Sequence, residues 1–220
     1  MKDLAVVLVT CDKNSWLWDT WYYYFRKHWH VDCQVYFCNE ILPVQYDGIT
    51  QVTCGYVSPN ANQWTKQARE CVEQIPEQSL FVIMEDMLFD VDITDTFKKL
   101  YNVFNTYKVD ALRVRSKPTK ADMRFFPCWI NGRSIMALSD RSDYLITFSA
   151  NLWDKDYLMR CLSKTQSPWR AERSNRMKGK GYRVFDFEIP NWYVNTLLQG
   201  KLTPDGQEKI NEYKKIKQCS

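Results

Sequence analysis

The chain has 220 residues, a length suited to one hydrophobic core. Hydrophobic residues make up 45% and charged residues 25%, which excludes a disordered protein, a collagen-like repeat and a coiled coil. The net charge of +4, from 30 Lys and Arg against 26 Asp and Glu, suits phosphate-bearing ligands but falls short of a nucleic-acid binder's basic stripe.

The opening MKDLAVVLVTCD is basic and then apolar, but the apolar run is short and meets Cys11-Asp12 without a small-residue cleavage site. Residues 4–10 are therefore expected to form a strand buried on both faces, not a signal peptide. Mean hydropathy is -0.48, and no apolar stretch approaches the ~20 residues a bilayer requires. No spanning helix is expected, and a cytoplasmic location is. Asn14-Ser15 can cap a helix over residues 16–27. Residues 33–38 and 49–56 read as the second and third strands. Over residues 62–74 Trp64, Ala68, Cys71, Val72 and Ile75 fall largely on one helical face. Residues 80–84 form another buried strand and run straight into Glu85-Asp86. A helix from residues 92–94 to about 107 follows, then an alternating strand over 110–115. Residues 124–148 read as aromatic strands and turns, 152–162 and 169–177 as helices, 182–188 as a strand, and 204–217 as a peripheral helix.

The first half thus runs β-α-β-β-α-β-α-β, the grammar of an α/β sheet with helices on both faces. Ligands of such sheets bind beyond the carboxyl ends of the strands. Two acidic strand ends stand there: Thr10-Cys11-Asp12 and Glu85-Asp86. Clustered carboxylates at a strand end either bind a hard divalent cation or stay solvated. His28 and His30 read as a surface helix end with no third ligand nearby. There is no GxSxG, HExxH, GxxxxGK[ST] or GxGxxG, so serine hydrolases, zincins, P-loop enzymes and dinucleotide binders lose their support. The 8 cysteines form no CxxC pair and read as reduced thiols. Aromatic residues reach 15%, enough to leave rings for stacking on sugars or bases after the core is filled. In Ser167-Pro168-Trp169-Arg170-Ala171-Glu172, Ser167 can cap a helix that places Trp169 and Glu172 on neighbouring faces. That pair suits either a sugar's apolar face and hydroxyl or a plain capped helix.

Taken together, VVLVTCDK, NQWTKQARECVEQI, FVIMEDMLF, YLITFSANLWDKDYLMRCL, SPWRAE and NTLLQGKL resemble, in order, the compact GT-A-type glycosyltransferases of bacteria, large viruses and phages. The resemblance implies a single GT-A-like, Rossmann-like α/β domain over residues 1–220 with a mixed sheet. Residues 1–115 would be the nucleotide-sugar-binding half and 116–220 the acceptor-side half. It implies a nucleotide-sugar donor such as a UDP-sugar, and a glycan or other hydroxyl acceptor. Thr10, Cys11 and Asp12 would lie near the nucleotide, with Trp64, Arg69 and Glu85 at the donor pocket. Asp86 would hold a divalent cation, Mn2+ or Mg2+, and share the catalysis. Glu172 would be the base, and Trp153 and Trp169 would face the acceptor. The family's Asp-x-Asp signature is replaced here, with Glu85-Asp86 followed by Leu88, so a metal-independent variant is an alternative. Two further readings are a glycosyltransferase acting on modified DNA bases and a catalytically inactive nucleotide- or glycan-binding module.

Overall fold

The computed structural model describes residues 1, 3–117, 119, 121–139, 142, 145–174, 182–198 and 200–219. Its centre is a nine-stranded sheet. In chain order the strands are β1 (Leu4–Val9), β2 (Gln34–Asn39), β3 (Thr50–Thr53), β4 (Ser79–Met84), β6 (Ala111–Arg115), β7 (Met123–Ile130), β8 (Arg133–Leu138), β9 (Asn151–Asp154) and β10 (Val184–Glu188). Their spatial order is β3-β2-β1-β4-β9-β6-β10-β8-β7. β2 and β4 pair parallel to β1, and β10 pairs parallel to β6, while β9 runs antiparallel between β4 and β6. The carboxyl ends of β1, β2, β3, β4, β6 and β10 therefore share one edge. Strand order reverses between β1 and β4, which makes their ends the switch point of the sheet.

β1 is wholly buried because it packs on both faces. Leu4, Val6 and Leu8 join one core cluster, and Ala5, Val7 and Val9 join the other. The first cluster also takes Trp18, Trp21, Tyr24 and Phe25 of α1 (Trp18–His28), and Phe97, Leu100 and Phe104 of α3 (Thr94–Thr106). The second takes Ala68, Cys71 and Val72 of α2 (Trp64–Glu73), Tyr157, Leu158 and Cys161 of α4 (Lys155–Cys161), and Ala171 of α5 (Pro168–Ser174). A short β5 (Met87–Phe89) leaves the end of β4 and pairs antiparallel with β11 (Tyr193–Asn195). The two-residue strands β12 (Leu197–Leu198) and β13 (Lys201–Leu202) precede α6 (Pro204–Gln218), which is capped by the Thr203 side chain.

Three expectations need correction. The helix expected from residue 16 begins at Trp18, after a 3-10 segment, Asp12–Leu17. Asn14 does not cap it, because its side chain donates instead to Glu85. Residues 151–154 form strand β9, not the start of a helix. There, tertiary pairing with β4 and β6 outweighs local helical spacing. Of the helix expected over 169–177, residues 168–174 are helical and 175–177 lie outside the described residues. The two halves of the chain also interleave, since β9 of the second lies between β4 and β6 of the first.

Candidate active site

The switch point gathers Thr10, Cys11, Asp12, Asn14, Glu40, Glu85 and Asp86. Thr10 sits in the opening between β1 and β2, where its N–H donates to the Cys38 carbonyl at 2.9 Å. Its hydroxyl accepts from Trp18 Nε1 at 3.0 Å. The half-buried Cys11 thiol is pushed up to about 11 by burial and by the charge of Glu85. It stays protonated at neutral pH and is no nucleophile.

Asp12 and Glu40 stitch the ends of β1 and β2 together. The Asp12 carboxylate accepts from Asn39 Nδ2 at 2.8 Å and from the N–H groups of Glu40, Ile41 and Leu42 at 3.2, 3.0 and 2.9 Å. In return the Asp12 N–H donates to Glu40 Oε2 at 3.0 Å. Glu40 Oε1 accepts from Ser58 N at 2.7 Å and from Gln67 Nε2 at 2.8 Å. Asp12 thus shapes the loop after β2. Beside Glu40 lies a cavity of about 10 Å³ bordered by Thr10, Asn39, Trp64 and Gln67. That space holds about one water, too little for a nucleoside.

Glu85 and Asp86 are handled differently. Glu85 is buried, with Oε1 held by Asn14, and its Oε2 has no hydrogen-bond partner. Burial first, and then the neighbouring Asp86 charge, push Glu85 up to about 7. Burial pushes Asp86 up to about 6. The Asp86 backbone is fixed by Thr196, whose N–H and hydroxyl donate to the Asp86 carbonyl at 2.7 and 3.2 Å. Among the described residues no group of three or more His, Cys, Asp or Glu could hold a metal by itself. The pair does match the hard-oxygen chemistry of a divalent cation that draws further ligands from an anionic substrate.

Glu172 reaches the same edge from α5. Ser167 caps that helix, with its Oγ accepting from Arg170 N at 3.4 Å. Glu172 Oε1 accepts from Phe148 N at 2.8 Å, just before β9. Burial raises its proton affinity, while that hydrogen bond and the Arg113 and Arg173 guanidinium groups oppose the rise. Its anchor is therefore the backbone at residue 148, not a surface pair with Arg170. Trp169, on the first turn of α5, is 57% exposed.

Trp64 is half-buried, packs on Phe148 at 5.0 Å and borders the small cavity. Two expected site residues do not belong. Arg69 lies on the outer face of α2 and pairs with Glu73 at 2.9 Å, away from the cavity. Trp153 is 0% exposed, packed between Phe148 and Tyr157, so it is a core residue and cannot meet an acceptor. Asp154 and Asp156 stand at the opposite edge, where Asp154 caps α4.

Glu40 was missed from sequence, although Asn39-Glu40 at the end of an apolar strand carries the same signal as Glu85-Asp86. Also missed was an ionic cluster buried in the sheet beside Glu172. Asp186 of β10 is fully buried, takes Arg113 Nε at 2.8 Å and pairs with Arg115. Charges on alternating positions of R-V-R and F-D-F-E were its trace.

The sheet order, with an antiparallel strand beside β4 and helices on both faces, defines a GT-A-like, Rossmann-like single α/β domain. No family model and no curated protein matches the sequence. Solved structures do match the fold. A Staphylococcus aureus TarS fragment, residues 1–349, in complex with UDP-GlcNAc is 12% identical, with a TM-score of 0.59 over 96% of this chain and 65% of that one. UDP-glucose pyrophosphorylase complexed with UDP-glucose is 9% identical, with a TM-score of 0.59 over 98% and 100%. A Francisella tularensis 2-C-methyl-D-erythritol 4-phosphate cytidylyltransferase is 11% identical, with a TM-score of 0.53 over 96% and 99%. The chain spans 60–65% of the TarS fragment's length. No helix among the described residues is long and apolar enough to cross a membrane.

Proposed function

We propose that the chain is a glycosyltransferase that moves a sugar from a nucleotide-diphosphate sugar, such as a UDP-sugar, to a hydroxyl acceptor. The observation that carries this reading is the Glu85–Asp86 pair at the switch point, Glu85 buried and Asp86 half-buried, with Glu172 on the same edge. Sugar transfer needs charge stabilisation on a leaving diphosphate and a base for the acceptor hydroxyl. Asp86, with Glu85, would hold Mn2+ or Mg2+, which as a Lewis acid would stabilise the diphosphate. Thr10, Cys11 and Glu40 would line the nucleotide, with Trp64 at its border, while Asp12 keeps the 39–42 loop in place. The Phe148 N–H fixes Glu172 Oε1, which leaves Oε2 to take the acceptor proton. Trp169 would present its ring to the acceptor sugar.

The TarS and pyrophosphorylase structures are complexes with UDP-GlcNAc and UDP-glucose, which supports the donor class. The end-to-end match with the pyrophosphorylase favours a second reading, nucleotidyl transfer. Against it, the segment after β1, TCDKNS, holds no glycine that would let its backbone cradle a triphosphate. The test is chromatography of nucleoside diphosphate released from a panel of nucleotide sugars, with and without Mn2+. Glu172→Gln should lower turnover by about 10²-fold or more and leave donor affinity unchanged. The acid limb of the wild-type rate should lie above the ordinary carboxylate range, because burial raises Glu172. Turnover within a few-fold of wild type would remove Glu172 as base. Pyrophosphate release from a nucleoside triphosphate and a sugar phosphate would replace the reading with nucleotidyl transfer.

A further inference from the structure

A second concavity, far larger than the one at the edge, lies on the outer side of α1. It is an open groove of about 560 Å³ between α1, the loop carrying Tyr46 and the end of α6, within the ~300–1,000 Å³ of small-molecule sites. Its walls are tyrosines. Tyr22 stacks on Tyr46 at 4.5 Å, and Tyr23 leans on Tyr213 at 5.5 Å. The Lys27 ammonium lies 6.0 Å from the Tyr23 ring centre. The Tyr22 and Tyr46 hydroxyls donate to the Asp47 carbonyl and to Asp19, which leaves the Tyr23 and Tyr213 hydroxyls to the groove.

The charges are unbalanced. Arg26, Lys27 and Lys217 line the groove against one carboxylate, Asp19. That carboxylate is already engaged, since Oδ1 accepts from the Tyr46 hydroxyl at 2.7 Å and Oδ2 pairs with Lys217 at 3.3 Å. Arg26 and Lys27 are exposed and have no carboxylate within ion-pair distance among the described residues. The surface therefore calls for an anion, and the tyrosine hydroxyls call for a ligand rich in hydroxyls.

We propose that this groove binds an acidic oligosaccharide, with Arg26 and Lys27 meeting its carboxylate or phosphate groups and Tyr23 and Tyr213 meeting its hydroxyls. A single-stranded nucleic acid has the charge, but it binds by stacking bases on free ring faces, and here Tyr22 and Tyr46 stack on each other while Lys27 and Lys217 lie over Tyr23 and Tyr213. A neutral sugar would bring no partner for Arg26 and Lys27. The assignment is independent of the transfer reading, since none of these residues belongs to the sheet edge.

The test is calorimetric titration of the whole chain with oligogalacturonate, pentamannose phosphate, neutral maltohexaose and an oligothymidylate, at low and physiological salt. One or both acidic sugars should bind more tightly than the other probes, more weakly as salt rises, and without displacement by a nucleoside diphosphate. The stronger of the two identifies the anion as carboxylate or phosphate. Arg26→Gln with Lys27→Gln, both at exposed positions, should weaken binding by about tenfold or more. Tyr23→Phe, which removes only the hydroxyl, should weaken it several-fold. Equal binding of maltohexaose, tighter binding of the oligothymidylate, no binding of either acidic sugar, or an unaffected double variant would overturn the proposal. Loss of binding to nucleoside diphosphate in competition would do the same, because it would place the sugar at the sheet edge.

Discussion

Two acidic pairs stand on one edge of this sheet, and the protein treats them in opposite ways. Asp12 and Glu40 join the ends of β1 and β2, and every carboxylate oxygen of the pair accepts a hydrogen bond. Glu85 and Asp86 close β4 with one buried oxygen left without a donor. Both pairs follow apolar strands, and in each the glutamate is buried. A carboxylate supplied with donors is a structural tie. One denied them holds its proton above the usual range, which is a cost the fold carries until a cation or a proton relieves it. The two pairs share their position at a strand end, and incomplete satisfaction is what sets Glu85 and Asp86 apart as the proposed site.

The comparison can be broken most severely at Asp86. Asp86→Asn should lower transfer by about 10²–10³-fold, the scale for losing transition-state charge stabilisation, with circular dichroism unchanged. Mn2+ should raise the Tm of the wild type and not of this variant. Normal turnover at the same Mn2+ concentration would end the assignment.

Asp12→Ala attacks the satisfied pair and should act first on stability. It strands the N–H groups of residues 40–42 and the Asn39 amide, at a cost on the order of 2–3 kcal/mol, read as a lower Tm. Donor affinity should fall with it, and donor-saturated turnover should change least. A turnover loss as large as that of Asp86→Asn would erase the distinction between the pairs.

Glu85→Gln should act in the reverse sense. The folded-state value of Glu85 is raised to about 7, so its favourable contribution is fully present below the unfolded value near 4.5 and is lost as pH rises through about 7. In the metal-free protein Glu85→Gln should therefore raise Tm at pH ~8 and leave it unchanged at pH ~3.5. A lower Tm at pH ~8 would mean that the ionised carboxylate is satisfied after all.

The smallest effect belongs to Arg69→Ala. Its partner Glu73 is on the same exposed helical face, and such pairs contribute about 0–1 kcal/mol. Stability and the donor constant should both stay near wild type. A marked rise in the donor constant would return Arg69 to the site.

Much of the fold was legible in the sequence because buried strands and amphipathic helices write their burial into residue type. LAVVLV and LFVIM announce strands covered on both faces, and Trp64, Ala68, Cys71 and Val72 announce the buried side of α2. The strand ends bearing Thr10-Cys11-Asp12 and Glu85-Asp86 follow from these, as does the Ser167 cap that sets Glu172 in α5. What local pattern could not carry was partnership across the chain. Trp153 and Trp169 are the same residue type, yet pairing of β9 between β4 and β6 seals one in the core and leaves the other 57% exposed. Asp12 and Glu85 likewise look alike in sequence. Only the tertiary structure brings the donors of residues 39–42 to one and leaves an oxygen of the other without a partner. Burial and hydrogen-bond satisfaction depend on which distant segments arrive, and that was decided by the packing of the whole sheet.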